Sequence, residues 1–176
     1  MDVYSVIQNL AIGITSGIFS GVIVSVVFYI LGNYQNEIDD AKNTIMPLYE
    51  VITLDKVREK CGLEDISEYL AVIRANVDTV ALNLNPSKYN YQLRQIMFDI
   101  SEIISDGKFF ERNGRELVFN EKMLHEFAVE VESQLKLLRE CEGNFGRGLT
   151  ERIIKNKAIW FTGAIAIIII VIALLI

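Results

Sequence analysis

The sequence predicts an all-α membrane protein, in which two transmembrane helices flank a cytoplasmic helical bundle that carries a small β-hairpin. Two observations lead there. Residues 3–32 and residues 158–176 hold no Lys, Arg, Asp or Glu, although the 176-residue chain is 23% charged and 51% hydrophobic. Each run is long enough to cross a hydrocarbon core of roughly 30 Å. Between them, apolar residues recur at three- and four-residue steps, the period of amphipathic helices.

The chain therefore divides into a first span over 3–32, a cytoplasmic domain over 33–156 and a second span over 157–176. A secretory signal would need a basic tip and a short apolar core. "MDVYSVIQN" is acid-tipped and its apolar run continues through Leu31, so the first span is expected to stay in the protein. "GRGLTERIIKNK" places Arg147, Arg152, Lys155 and Lys157 just before the second span, while the N-terminal tail has no base. The positive-inside bias then puts the middle domain in the cytoplasm, with both termini outside.

The elements follow in order. "NYQNEIDDAKNTIM" extends the first membrane helix until Pro47, and "LYEVITLDKVREKCG" makes a further helix that stops at Gly62. "EDISEYLAVIRANVDTVALNL" carries a stripe of Ile66, Leu70, Ile73, Val77, Val80 and Leu84, broken by "NPSKYN". "YQLRQIMFDISEIIS" repeats the pattern with Leu93, Ile96, Met97, Ile100, Ile103 and Ile104, and ends at Asp106-Gly107. "KFFERNGRELVF" reads as a hairpin, with Asn113-Gly114 supplying two positive φ angles for a type I′ turn. Asn120 caps "EKMLHEFAVEVESQLKLLRECE", whose seam is Leu124, Phe127, Val131, Leu135 and Leu138. "GNFGRG" is a hinge, and "LTERIIKNK" runs unbroken into the second span.

Conventional catalytic chemistry is sparse. His125 is the only histidine, and beside Leu124 and Phe127 on an amphipathic helix it reads as a boundary residue. Cys61 and Cys141 have no C-x-x-C spacing and no nearby His, which suits structural thiols in a reducing compartment and no metal site. No phosphate-binding loop is present, and no cofactor is expected. All 17 Lys and Arg, and every acid except Asp2, lie between the apolar runs, so that region is net acidic. A nucleic-acid partner would call for the opposite balance; local basic spots remain at Lys88/Arg94 and at the membrane-proximal cluster.

The most informative stretch is "GITSGIFSGVIVS". Gly13, Gly17, Gly21 and Ser25 form a ridge of small residues, which lets helix backbones approach closely in lipid. At 100° per residue, Ser5, Asn9, Ser16 and Ser20 fall within about 60° of one another beside that ridge. Polar side chains in a membrane helix face a partner or water, so a ring of such helices would line a lumen with this stripe, narrowing to apolar Ile23 and Val27 at its inner end. The alternative is that the hydroxyls bond their own i−4 carbonyls and that the ridge pairs with the second span of the same chain. The bulky "IAIIIIVIALL", with Trp160 and Lys157 at its interface, suits an outer, lipid-facing layer.

A glycine-rich span ("AIGITSGIFSGVIVSVVFYI") joined to a small helical bundle resembles the accessory membrane proteins of type VI-B, RNA-targeting CRISPR loci. The resemblance covers size and layout. It implies a divergent HEPN-like helical domain and a homo-oligomeric pore that dissipates the membrane gradient in antiphage defence. Its partners would be further copies of itself, the lipid bilayer, and an RNA-guided effector or its activated products. HEPN ribonucleases separate an Arg from a His by four to six residues, but the positions that would suit His125 are Val118, Phe119 and Asn120. Arg152 and Lys157 keep the spacing without the imidazole, and an ordinary lysine is a poor general base near neutral pH. The expectation is a pore and not an enzyme; a membrane tether that docks a cytoplasmic partner is the alternative, and a membrane-bound HEPN ribonuclease is a second one.

Overall fold

The computed structural model describes residues 3–62, 67–143 and 145–175. Its described residues are mostly helical, in the order α1 (Val3–Cys61), α2 (Ser67–Asn83), α3 (Tyr91–Ser105), β1 (Phe110–Asn113), β2 (Glu116–Phe119), α4 (Leu124–Gly143), α5 (Phe145–Lys155) and α6 (Lys157–Leu175), with single 3-10 turns at Pro86–Lys88 and Glu121–Met123. Two compact units result: Asn36–Phe145, and Met1–Gln35 with Gly146–Ile176.

In the first of these units the core comes from one face of each helix. Ile38, Ala41, Ile45, Leu48, Val51 and Ile52 of α1 are buried, as are Ile73, Val77 and Val80 of α2. All six stripe residues of α3 and all five seam residues of α4 are buried too, joined by Ala128. Leu70 and Leu84 are only half-buried, and Ile66 lies outside the described residues. The helix starts are set by side chains: Asn90 accepts from the Leu93 N–H at 3.1 Å, and Asn120 accepts from Lys122 N–H at 3.2 Å, capping the 3-10 turn that leads into α4. The hairpin pairs Phe110 with Phe119 and Arg112 with Leu117. Phe109, Phe110 and Phe119 surround Phe127 with ring centroids 5.3–5.6 Å away and steep interplanar angles, the edge-to-face arrangement that aromatic quadrupoles favour. The strands are thereby fixed to α4.

Three expectations are corrected. Pro47 does not end a helix: α1 is continuous for 59 residues. The ring removes one backbone donor and crowds the preceding turn, but Ile45, Leu48 and Val51 on either side are fully buried and hold the segment helical. The helix ends where a positive φ is available, at Gly62 (φ +60°), whose N–H reaches the Arg58 carbonyl at 3.0 Å. The hairpin loop is Gly114-Arg115, because Asn113 pairs with Glu116; Gly114 alone has positive φ (+66°), the pattern of a type II′ turn.

"GNFGRG" spans the break between α4 and α5, and the division between the two compact units falls within it, between Phe145 and Gly146. Gly143 closes α4 and Phe145–Gly148 belong to α5, with Asn144 outside the described residues. The uninterrupted run into the last helix is broken at Asn156, where the side chain accepts from Ala158 N–H at 2.9 Å and so starts α6 afresh. Asparagine competes with the helix for its own backbone donors, which makes it a natural point of interruption.

Candidate functional site

Among the described residues, α1 is the one helix long and apolar enough to cross a membrane. Only 6% of its most apolar stretch is buried within the protein. The core helix of a soluble protein would be covered; here Leu10, Ile14, Ile18 and Phe28 are 56–66% exposed. So much uncovered apolar surface along one helix needs a bilayer or other helices against it.

The surface of this stretch has distinct faces. Thr15, Phe19 and Val26, grouped near one direction of the helical wheel, are half-buried. Gly13, Gly17 and Gly21 lie on a different side, exposed, and a Cβ placed on any of them would meet nothing within 4 Å. The ridge is thus not the surface that this protomer covers. Ser5, Asn9, Ser16 and Ser20 are exposed between the two faces, followed along the helix by exposed Ile23 and half-buried Val27.

Hydrogen bonding separates the hydroxyls. Ser25 Oγ donates to the Gly21 carbonyl at 2.8 Å, and on α6 Thr162 Oγ1 donates to the Ala158 carbonyl at 2.7 Å. Both satisfy themselves within the helix. Asn9, Ser16 and Ser20 make no side-chain hydrogen bond among the described residues. In hydrocarbon such groups cost free energy, whereas water or a neighbouring helix would satisfy them.

The three residues weighed as ribonuclease remnants are engaged differently. His125, on α4, is largely exposed; its Nδ1 stands 3.3 Å from Asp55 Oδ2 and 3.8 Å from Glu59 Oε1. Arg152, on α5, lies over the Tyr34 ring with its guanidinium carbon 5.2 Å from the centroid. His125 and Arg152 belong to different units, and Lys157 begins α6. Among the described residues no hydroxyl or thiol is hydrogen-bonded to the imidazole.

Asp55 was not anticipated in the sequence. It is the one buried charged residue among those described, 6% exposed. The signal was present: Ala41, Ile45, Leu48, Ile52 and Asp55 are spaced by four, three, four and three, so a carboxylate occupies the last place of an apolar seam. Cys141 is half-buried, and burial followed by the charge of Glu140 pushes its thiol above the ordinary range, which disfavours the reactive thiolate. The Cys61 side chain lies outside the described residues. Among the described residues no three His, Cys, Asp or Glu side chains converge as a metal site. Comparison of the chain with family models, with curated proteins and with solved structures found no match.

Proposed function

We propose that the chain is a homo-oligomeric pore of the bacterial inner membrane, with α1 as the pore-lining helix and α6 as a second, lipid-facing span. The observation that carries this reading is the state of α1 in a single protomer: a glycine ridge with nothing against it, beside Asn9, Ser16 and Ser20, whose side chains make no hydrogen bond among the described residues. Packing between copies through Gly13, Gly17 and Gly21 would bury the ridge and turn Asn9, Ser16 and Ser20 toward a shared axis. Ile23 and Val27 would form an apolar constriction at the inner end, of the kind that closes by dewetting. The role in antiphage defence, beside an RNA-guided effector, rests on the resemblance to type VI-B accessory proteins.

Because a side chain at Gly17 meets nothing within the protomer, Gly17→Leu tests contacts between copies without disturbing the fold of one. Mass determination in nanodiscs and dye leakage from liposomes are the readouts. The wild type is expected to run as a ring-sized assembly and to leak, and Gly17→Leu to lose both properties. A monomeric wild type, or a Gly17→Leu protein that still assembles and leaks, overturns the pore and leaves α1 as an anchor for the bundle.

A further inference from the structure

The bundle contains a cavity of about 330 Å³ between the end of α2, the last turns of α3 and the turn end of the hairpin. It exists because the sequence places small side chains where the hairpin crosses the helices. Ala81 on α2 and Ser101 and Ser105 on α3 stand where larger residues would fill the space. The hairpin register supplies the opposite wall. Phe110 and Arg112 share one face of β1 and lie across from Phe119 and Leu117, so the same face that meets Phe127 at one end presents Arg112 and Leu117 to the cavity at the other.

The polar groups of this cavity are unspent. The side chains of Arg112, Ser101 and Ser105, the first and last of them exposed at the mouth, make no hydrogen bond, ion pair or ring contact among the described residues. The neighbouring acid that could have neutralised Arg112, Glu116, is held instead by Arg74 at 2.7 Å, and its register position puts it on the other face of the hairpin. A guanidinium, which only donates, and two hydroxyls one helical turn apart, which can donate, together suit an anion, while Leu84, Ile104, Phe110 and Leu117 offer apolar wall. The volume stands at the lower end of the roughly 300–1,000 Å³ usual for small-molecule pockets, and the wall it presents is more polar than apolar, which suits a ligand held chiefly by its anionic group.

We infer that this cavity is a binding site for a small anion with a flat apolar body, an aryl phosphate monoester or aryl carboxylate, gripped by Arg112 with Ser101 and Ser105. The guanidinium takes two anionic oxygens in its planar fork. The two serines complete the anion's shell, and the ring slides between the aliphatic side chains. The site belongs to the bundle alone and stands whether or not α1 forms a pore.

The test uses the full chain in zwitterionic nanodiscs, with phenyl phosphate and benzoate as probes in titration calorimetry and with phenol and inorganic phosphate as controls. One of the two aryl anions is expected to saturate a single site at least about tenfold more tightly than either control, since both halves of the pocket must be engaged. Arg112→Gln should weaken that binding at least about tenfold, and Ser101→Leu, which fills the cavity, should abolish it. Arg115→Gln, at the turn, should leave it unchanged. Circular dichroism and a thermal melt confirm that each variant is folded. Failure of both aryl anions to saturate overturns the site, as does wild-type affinity in Arg112→Gln or equally tight binding of inorganic phosphate alone.

Discussion

Along α1, the apolar side chains change what they touch. Leu10, Ile14, Ile18 and Phe28 are each more than half exposed, whereas Ile38, Ile45 and Leu48 are at most 1% exposed, although all seven lie on one continuous helix. The difference is in the residues between them. From Asn36 onward, Glu37, Asp39, Lys42 and Glu50 occupy positions off the seam, so only one stripe is apolar and it is covered within the bundle. Between Val3 and Leu31 there are no charges to oppose the apolar residues, and the helix is oily nearly all round. A helix of that second kind is stable only with an apolar medium or other helices about it. One element therefore carries a half that its protomer covers and a half that it leaves largely bare.

The largest effect expected from this contrast is in paired truncations. Leu48→Ala should cost the bundle about 2–5 kcal/mol, because it removes fully buried methyl groups and leaves a cavity. Ile18→Ala should change bundle stability by less than about 0.5 kcal/mol, as expected of a surface site. Denaturant unfolding in detergent, followed by circular dichroism, separates the two. The same contrast reverses for charge: Ile18→Asp should disfavour membrane insertion by about 2.5–3.5 kcal/mol, read by glycosylation mapping. Equal costs for the two alanine variants would mean that the exposed half of α1 is covered in the folded protomer after all.

Next in size is Pro47, which stands between the buried Ile45 and Leu48. Its ring gives no N–H to the carbonyl one turn earlier, a deficit of about 3 kcal/mol relative to alanine in a helix interior. Part of that is returned by the restricted unfolded chain, so Pro47→Ala should raise bundle stability by about 1–3 kcal/mol. A shift of the denaturation midpoint to lower denaturant would show that the proline ring contributes packing that the backbone loss does not outweigh.

Pro47 also shows where sequence reasoning stops. The stripes of α3 and α4 were legible because polar residues fill most positions off the seam, so periodicity alone identified Leu93 to Ile104 and Leu124 to Leu138 as core. Local breakers were less reliable. Pro47 is overridden by burial on both sides, whereas unassuming Asn156 interrupts the chain. The hairpin was legible, but its loop lies one residue later than expected, a distinction that only the pairing of Asn113 with Glu116 decides. The ridge and polar line of α1 could be drawn from spacing; that the ridge is uncovered in the protomer could not. Arg112 was invisible as a site residue, because its surroundings come from α2 and α3, far away in sequence.

The smallest effect concerns Tyr69, and it probes the bundle without touching the exposed half of α1. This side chain, on α2, has its hydroxyl buried with no hydrogen-bond partner. Burial, and next the negative charge of Asp55, push its pKa up to about 12, with Arg58 opposing. An unfolded chain releases the same proton near about 10. Between those values the folded state holds more protons than the unfolded one, so stability falls as pH rises from about 10 to about 12 and is untouched by this group below that window. Because the side chain is only half-buried, solvent screening limits the loss to about 1 kcal/mol. Tyr69→Phe keeps the ring and removes the titration, so the difference in unfolding free energy between variant and wild type should grow by that amount across the window. A constant difference would mean that water reaches the hydroxyl in the folded bundle, and that the core around Asp55 and Tyr69 is wetter than the seam of α1 beside it.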